Sequence, residues 1–138
     1  MGVFSYVSGY IGDKHGHKAS MLLAYSFHLL AVILALFSKN MFWVYCIFIS
    51  LGAGQGAFMP SAMNLIYDFA NTEDKKTYMA LIDSFLAPFA ILFIAGIGFL
   101  INYNKFVLSF YIIGFCLFIS IIILHFFVKD PKPNKLSH

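Results

Sequence analysis

Apolar residues fall in four long blocks separated by short polar punctuation. Met21 to Ser38 carries no charge and is dominated by Leu, Ala, Ile and Val; Lys39-Asn40 interrupts it. Further blocks run over Met41 to Tyr67, Thr77 to Ile101 and Phe106 to Val128. A helix needs roughly 20 apolar residues to cross a bilayer, so each block predicts one transmembrane helix. Ahead of them, residues 1–12 are apolar but too short to span. They read as the end of a preceding transmembrane helix, which makes a fragment of a longer protein the expectation. Three polar segments remain: a turn at 13–20, a loop at 68–76 and a tail at 129–138.

The blocks differ in texture. The span at 21–38 is plain, with His28 inside it expected to hydrogen-bond to a neighbouring helix. The span at 41–67 opens with Phe42, Trp43, Tyr45 and Phe48, as a helix entering through the headgroup belt does. Its middle reads Gly52-Ala53-Gly54-Gln55-Gly56, then Pro60-Ser61 and Asn64. Small residues let helices approach closely and proline frees a backbone carbonyl, so this helix is expected to be buried or to line a cavity. The span at 77–101 holds Asp83, Pro88 and Gly96-Ile97-Gly98. The span at 106–128 is the most uniformly apolar and is expected to face lipid. In the tail, Pro131 and Pro133 end any helix.

Composition supports the same class. The 138 residues are 61% hydrophobic, 19% aromatic and 11% charged, where a soluble domain carries about 25% charged residues. Mean hydropathy is +0.83. The fold class expected is all-α integral membrane. All nine basic residues are lysines, and they sit in the gaps between blocks instead of forming the basic face of a nucleic-acid binder. Cys46 and Cys116 lie in different apolar blocks and read as small buried hydrophobes. No nucleophile constellation, metal-spaced histidine set or phosphate loop is visible. Neither enzymatic activity nor a cofactor is expected.

Lysine also sets the sidedness. Four spans place the 13–20 turn, the 68–76 loop and the tail on one face, with seven lysines against Lys39 and Lys105 on the other. The lysine-rich face is the cytoplasmic one by the positive-inside rule.

The stretch Gly9-x-x-x-Asp13-Lys14-x-Gly16-x-Lys18 resembles the signature loop of the major facilitator superfamily, G-x-x-x-D-[RK]-x-G-x-[RK]-[RK], which the family repeats after its second and eighth helices. The departures are Ala19 at the last basic position and His17 before Lys18. The resemblance implies that Asp13 meets the positive end of another helix, that Gly16 permits a sharp turn, and that Lys14 and Lys18 anchor the loop to headgroups. Either copy is followed by four helices, so helices three to six and nine to twelve both fit. The second placement is preferred. The run from Asn64-Leu65-Ile66-Tyr67 through Lys76-Thr77-Tyr78-Met79-Ala80-Leu81 to Ser84-Phe85-Leu86-Ala87-Pro88 resembles the tenth-to-eleventh helix segment of bacterial members. The closing Val128-Lys129-Asp130-Pro131 resembles their tails.

Placed so, the chain is expected to be the C-terminal portion of a secondary active transporter in a bacterial plasma membrane, moving a small molecule by proton-coupled transport or efflux. Its partners would be lipid and the remaining helices of the transporter or a partner chain. Gly9, Asp13, Lys14, Gly16 and Lys18 would form a conformational latch. Gln55, Ser61 and Asn64 are cavity candidates, with interhelical hydrogen bonding as their plainer role. Asp83, about 9 Å into its helix by helical rise, is the proton-coupling candidate; the plainer reading is a hydrated or lysine-paired carboxylate near the membrane face. The rival to the whole reading is a stand-alone membrane scaffold protein without transport activity.

Overall fold

The computed structural model describes residues 2–69 and 75–128, without the side chains of residues 2, 3, 13, 15, 68, 69 and 75. Most of the expected 68–76 loop and all of the 129–138 tail therefore lie outside the described residues. The chain forms five helices: α1 (Gly2–His15), α2 (His17–Phe37), α3 (Met41–Phe69), α4 (Lys75–Asn102) and α5 (Phe106–Phe127). The last four are long and apolar enough to cross a membrane, one for each predicted block.

The polar turn is shorter than its sequence implies. Over 13–20, α1 continues to His15 and α2 begins at His17, so Gly16 alone separates them. Its backbone, at φ 90° and ψ 151°, reverses the chain in one residue. The Gly16 N–H still donates to the Gly12 carbonyl at 2.9 Å, and its carbonyl accepts from the Ala19 N–H at 3.2 Å. Both helix ends thus close onto the same residue. A Cβ added to Gly12 would lie 2.8 Å from His17 Nδ1, so the His17 ring covers Gly12 just before the turn.

Cross-helix contacts fix the register. Ser8 meets Ser20, making α1 and α2 antiparallel. Moving along α2, His28 faces Gly54 and Ser20 lies in the same cluster as Ser61, so α3 runs back along α2. Val32 packs on Gly114 and Lys18 reaches His125, which sets α5 antiparallel to α2. Helices α2 and α3 share the largest interface in the chain; α1 packs on both, and α5 flanks α2. Helix α4 packs chiefly on α5.

The interior is made of small side chains. Ser8, Ser20, Ala24, Ala31, Ala53, Ala57 and Ser61 are each no more than 2% exposed. Positions 20, 24 and 31 share one face of α2, and 53, 57 and 61 share one face of α3. Large apolar side chains point the other way: Leu92, Ile94 and Phe127 are at least 70% exposed. In water this distribution would be unstable. In lipid, where tails are as apolar as Leu, association comes from close packing and interhelical hydrogen bonds. Phe4 with Phe27 and Tyr25 with Phe58 add edge-to-face contacts beside this seam.

The Gly16 backbone lies in a region that strains any L side chain. Gly16→Ala is expected to destabilise the bundle by about 1–3 kcal/mol. A lowered midpoint of thermal unfolding in detergent would report it.

Candidate functional site

Among the described residues, buried hydroxyls gather where α3 meets α1 and α2. Pro60 has no N–H, so it cannot close the helical hydrogen bond to the carbonyl four residues back, at Gly56. Helix α3 nevertheless runs through Pro60 without a break. The Ser5 hydroxyl of α1 donates to the Gly56 carbonyl at 2.9 Å. A donor from the neighbouring helix thus replaces the one that proline removed.

One turn further along α1, Ser8 is the centre of a second cluster. Its hydroxyl donates to the Ala57 carbonyl at 3.1 Å and is 3.0 Å from the Ser61 hydroxyl. It also meets the Ser20 hydroxyl, and Ser20 donates to the Ser8 carbonyl at 2.9 Å. Three helices therefore share one buried serine junction. Among the described residues, no buried side-chain nitrogen or oxygen atom lacks a hydrogen-bond partner.

Two turns from the junction, α2 and α3 touch at Gly54. A Cβ there would lie 2.5 Å from His28 Nδ1 and 3.1 Å from the Ala24 carbonyl oxygen. His28 Nδ1 is 2.8 Å from that same carbonyl, in its own helix. A carbonyl can only accept, so the proton is on Nδ1. This corrects the expected bond to a neighbouring helix: the acceptor is one turn back in α2, and the ring lies against Gly54 of α3.

The sequence-predicted cavity residues separate. Ser61 is 2% exposed and sits in the serine junction. Gln55 and Asn64 are half-buried on α3. Asp83 lies on exposed surface of α4, a helix that among the described residues has no substantial contact with α3. The structure therefore does not bring Asp83 to the three α3 residues.

The signature turn is tied inward through Lys18. Lys18 Nζ donates to the His125 carbonyl oxygen at 2.8 Å, in the last turn of α5, where a cation meets both a carbonyl that lacks a helical partner and the negative end of the helix dipole. Lysine 18 was expected to reach headgroups; this contact directs it to a helix end. Lys14 is exposed, with its ammonium 6.0 Å from the centre of the Tyr10 ring. Gly9 faces open space. The Asp13 side chain lies outside the described residues.

The model of the Major Facilitator Superfamily matches residues 1–138. This chain belongs to that superfamily. No curated protein and no solved structure matches it. As a superfamily member it is part of a membrane transporter, and superfamily transporters are generally not enzymes. Within it, the residues that sequence reading missed are Ser5, Ser8 and Ser20, in the short first segment and at the start of α2. One signal for Ser5 was available: a proline with glycine four residues earlier marks a freed carbonyl that needs an outside donor.

The Ser5–Gly56 pairing can be checked by a double-mutant cycle on thermal unfolding in detergent. Ser5→Ala is expected to cost about 1 kcal/mol, within the range of interhelical hydrogen bonds in membranes. In a Pro60→Ala background, where the backbone N–H returns, the same change should cost little. Equal costs in both backgrounds would mean that the serine does not serve the freed carbonyl.

Proposed function

We propose that this chain is the C-terminal portion of a proton-coupled secondary transporter, from the end of the eighth helix through the twelfth and the tail. It moves a small molecule, in either direction, across a bacterial plasma membrane by alternating access, with its C-terminus in the cytoplasm. The observation that carries this reading is α4. Its packing within the chain is confined chiefly to α5, yet it holds Asp83 and Ser84 on exposed surface. Pro88 also removes the N–H that would have bonded the Ser84 carbonyl. A carboxylate, a hydroxyl and a freed carbonyl together are costly in hydrocarbon. The polar part of α4 belongs against further helices or a water-filled cavity.

Other features support the same arrangement. Gly9 of α1, Gly52 of α3, and Gly96 and Gly98 of α4 have open space where a Cβ would be, so each leaves room for a close neighbour. Helices α1, α2 and α3 are locked by the serine junction and suit a block that moves as one. Alternating access requires such blocks to rock about a midplane site. In this reading Gln55 and Asn64 face the cavity, while Ser61 acts through the junction. Asp83 carries the coupling proton. The Gly9–Lys18 turn is the latch, fastened to α5 through Lys18.

The coupling role is tested with the chain joined to the remaining helices of its transporter, in vesicles that hold a proton gradient. Candidate small molecules are added and proton flux is followed by a pH-sensitive dye. Asp83→Asn is expected to abolish substrate-dependent proton flux while leaving the amount of protein in the membrane unchanged. Proton flux equal to that of the unsubstituted protein would remove Asp83 from the mechanism.

A further inference from the structure

A long apolar groove separates α2 from α5 in the half of the bundle away from the Gly16 turn. It encloses about 440 Å³, in the size range of small-ligand sites. Leu29, Val32 and Leu36 form one wall, and Phe110, Gly114 and Phe118 the other. The floor is the contact of Val32 with Gly114, where a Cβ on the glycine would lie 3.3 Å from Val32 Cγ1. The walls run from Leu29 to Leu36 and from Phe118 to Phe110, each roughly 11 Å by helical rise. That is most of the roughly 15 Å hydrocarbon depth of one leaflet.

The open end of the groove is cationic. Lys39 follows the last turn of α2 by two residues, and Lys105 is the residue before α5. Both are exposed. Because α2 and α5 are antiparallel through the Lys18–His125 and Val32–Gly114 contacts, the two lysines share one end of the same helix pair. Counted along the helix axes from Val32 and Gly114, they stand about 10 and 14 Å away, roughly 4 and 8 Å beyond the ends of the apolar walls at Leu36 and Phe110. The turns that carry them, Ser38-Lys39-Asn40 and Asn102-Tyr103-Asn104-Lys105, contain no acidic residue. Trp43, at the start of α3, marks the same end with an interfacial aromatic.

We propose that this groove binds an anionic glycerophospholipid, with an acyl chain between α2 and α5 and the phosphate at the Lys39 and Lys105 ammonium groups. A transmembrane helix laid in the groove would fill the apolar walls and would neutralise the two lysines only by carrying acidic residues at that end. An anionic lipid satisfies both halves of the site at once. The site is independent of the transport reading and does not involve Asp83 or the serine junction.

Two measurements on the full chain test the proposal. A photoreactive benzoylphenylalanine in place of Phe115, which lines the groove and is 65% exposed, is irradiated in native membranes. The expected adduct is an anionic phospholipid; a polypeptide adduct, from another helix or a second copy, would overturn the site. Native mass spectrometry then compares phosphatidylglycerol with phosphatidylcholine on the unsubstituted chain and on the Lys39→Gln, Lys105→Gln double variant. Phosphatidylglycerol should be favoured about thirty-fold, and the double variant should lose that preference. Equal binding of the two lipids by the unsubstituted chain, or an undiminished preference in the double variant, would refute it. Ile33→Trp, which fills the groove without touching either lysine, should weaken both lipids together; unchanged binding would place the lipid elsewhere.

Discussion

The fold depends on helices coming close enough for a hydroxyl on one to reach a backbone carbonyl on another. That approach needs small side chains along the whole contact, because a single large one would hold the helices apart. The seam from Ser8 and Ser20 through Ala24 to Ala53, Ala57 and Ser61 meets this requirement. Once the backbones are near, Ser5 and Ser8 bond to the Gly56 and Ala57 carbonyls. Each such bond is modest in a membrane, averaging about 0.6 kcal/mol. Their value lies equally in geometry, since a hydroxyl aimed at a freed carbonyl admits one register and disfavours a slide by one residue.

Proline 60 illustrates how a local defect becomes a specific contact. In an isolated helix it would leave the Gly56 carbonyl without a partner, and hydrocarbon offers no water to supply one. Here the vacancy selects the neighbour that carries a serine at the right height. Gly54 and His28 act in a complementary way two turns along. The ring can lie against α3 only because no Cβ stands in its place, and its own Nδ1–H is already committed to Ala24. The block of α1, α2 and α3 is therefore held by polar detail inside an otherwise apolar bundle, whereas α4 and α5 show broad apolar surface.

Much of this architecture was legible in the sequence. Four apolar blocks of spanning length read as helices, because lipid admits only helices and closed barrels and a barrel strand is much shorter than these blocks. The Gly/Gln/Pro texture of 52–64 points to a helix buried against others or lining a cavity, and α3 packs on both α1 and α2. The junction itself was not legible. Ser5, Ser8 and Ser20 are ordinary serines until the turn at Gly16 brings α1 back against α2 and α3. Ser61 reads from sequence as a cavity candidate or, more plainly, as an interhelical hydrogen-bonding residue, because hydropathy cannot tell a hydroxyl facing water from one facing another hydroxyl. Asp83 reads from sequence only as a carboxylate inside a span; in the fold its helix packs chiefly on α5 and leaves it exposed.

The Lys18–His125 bond joins residues 107 positions apart. The last helix must therefore be made before the first turn can be fastened. At the usual pace of synthesis, about 5–20 residues per second, that interval is roughly 5–20 s. During it α1, α2 and α3 can already form their serine junction, since every partner lies within the first 61 residues. The bundle thus acquires its tight seam early and its peripheral clasp late, and α5 docks onto an assembled surface.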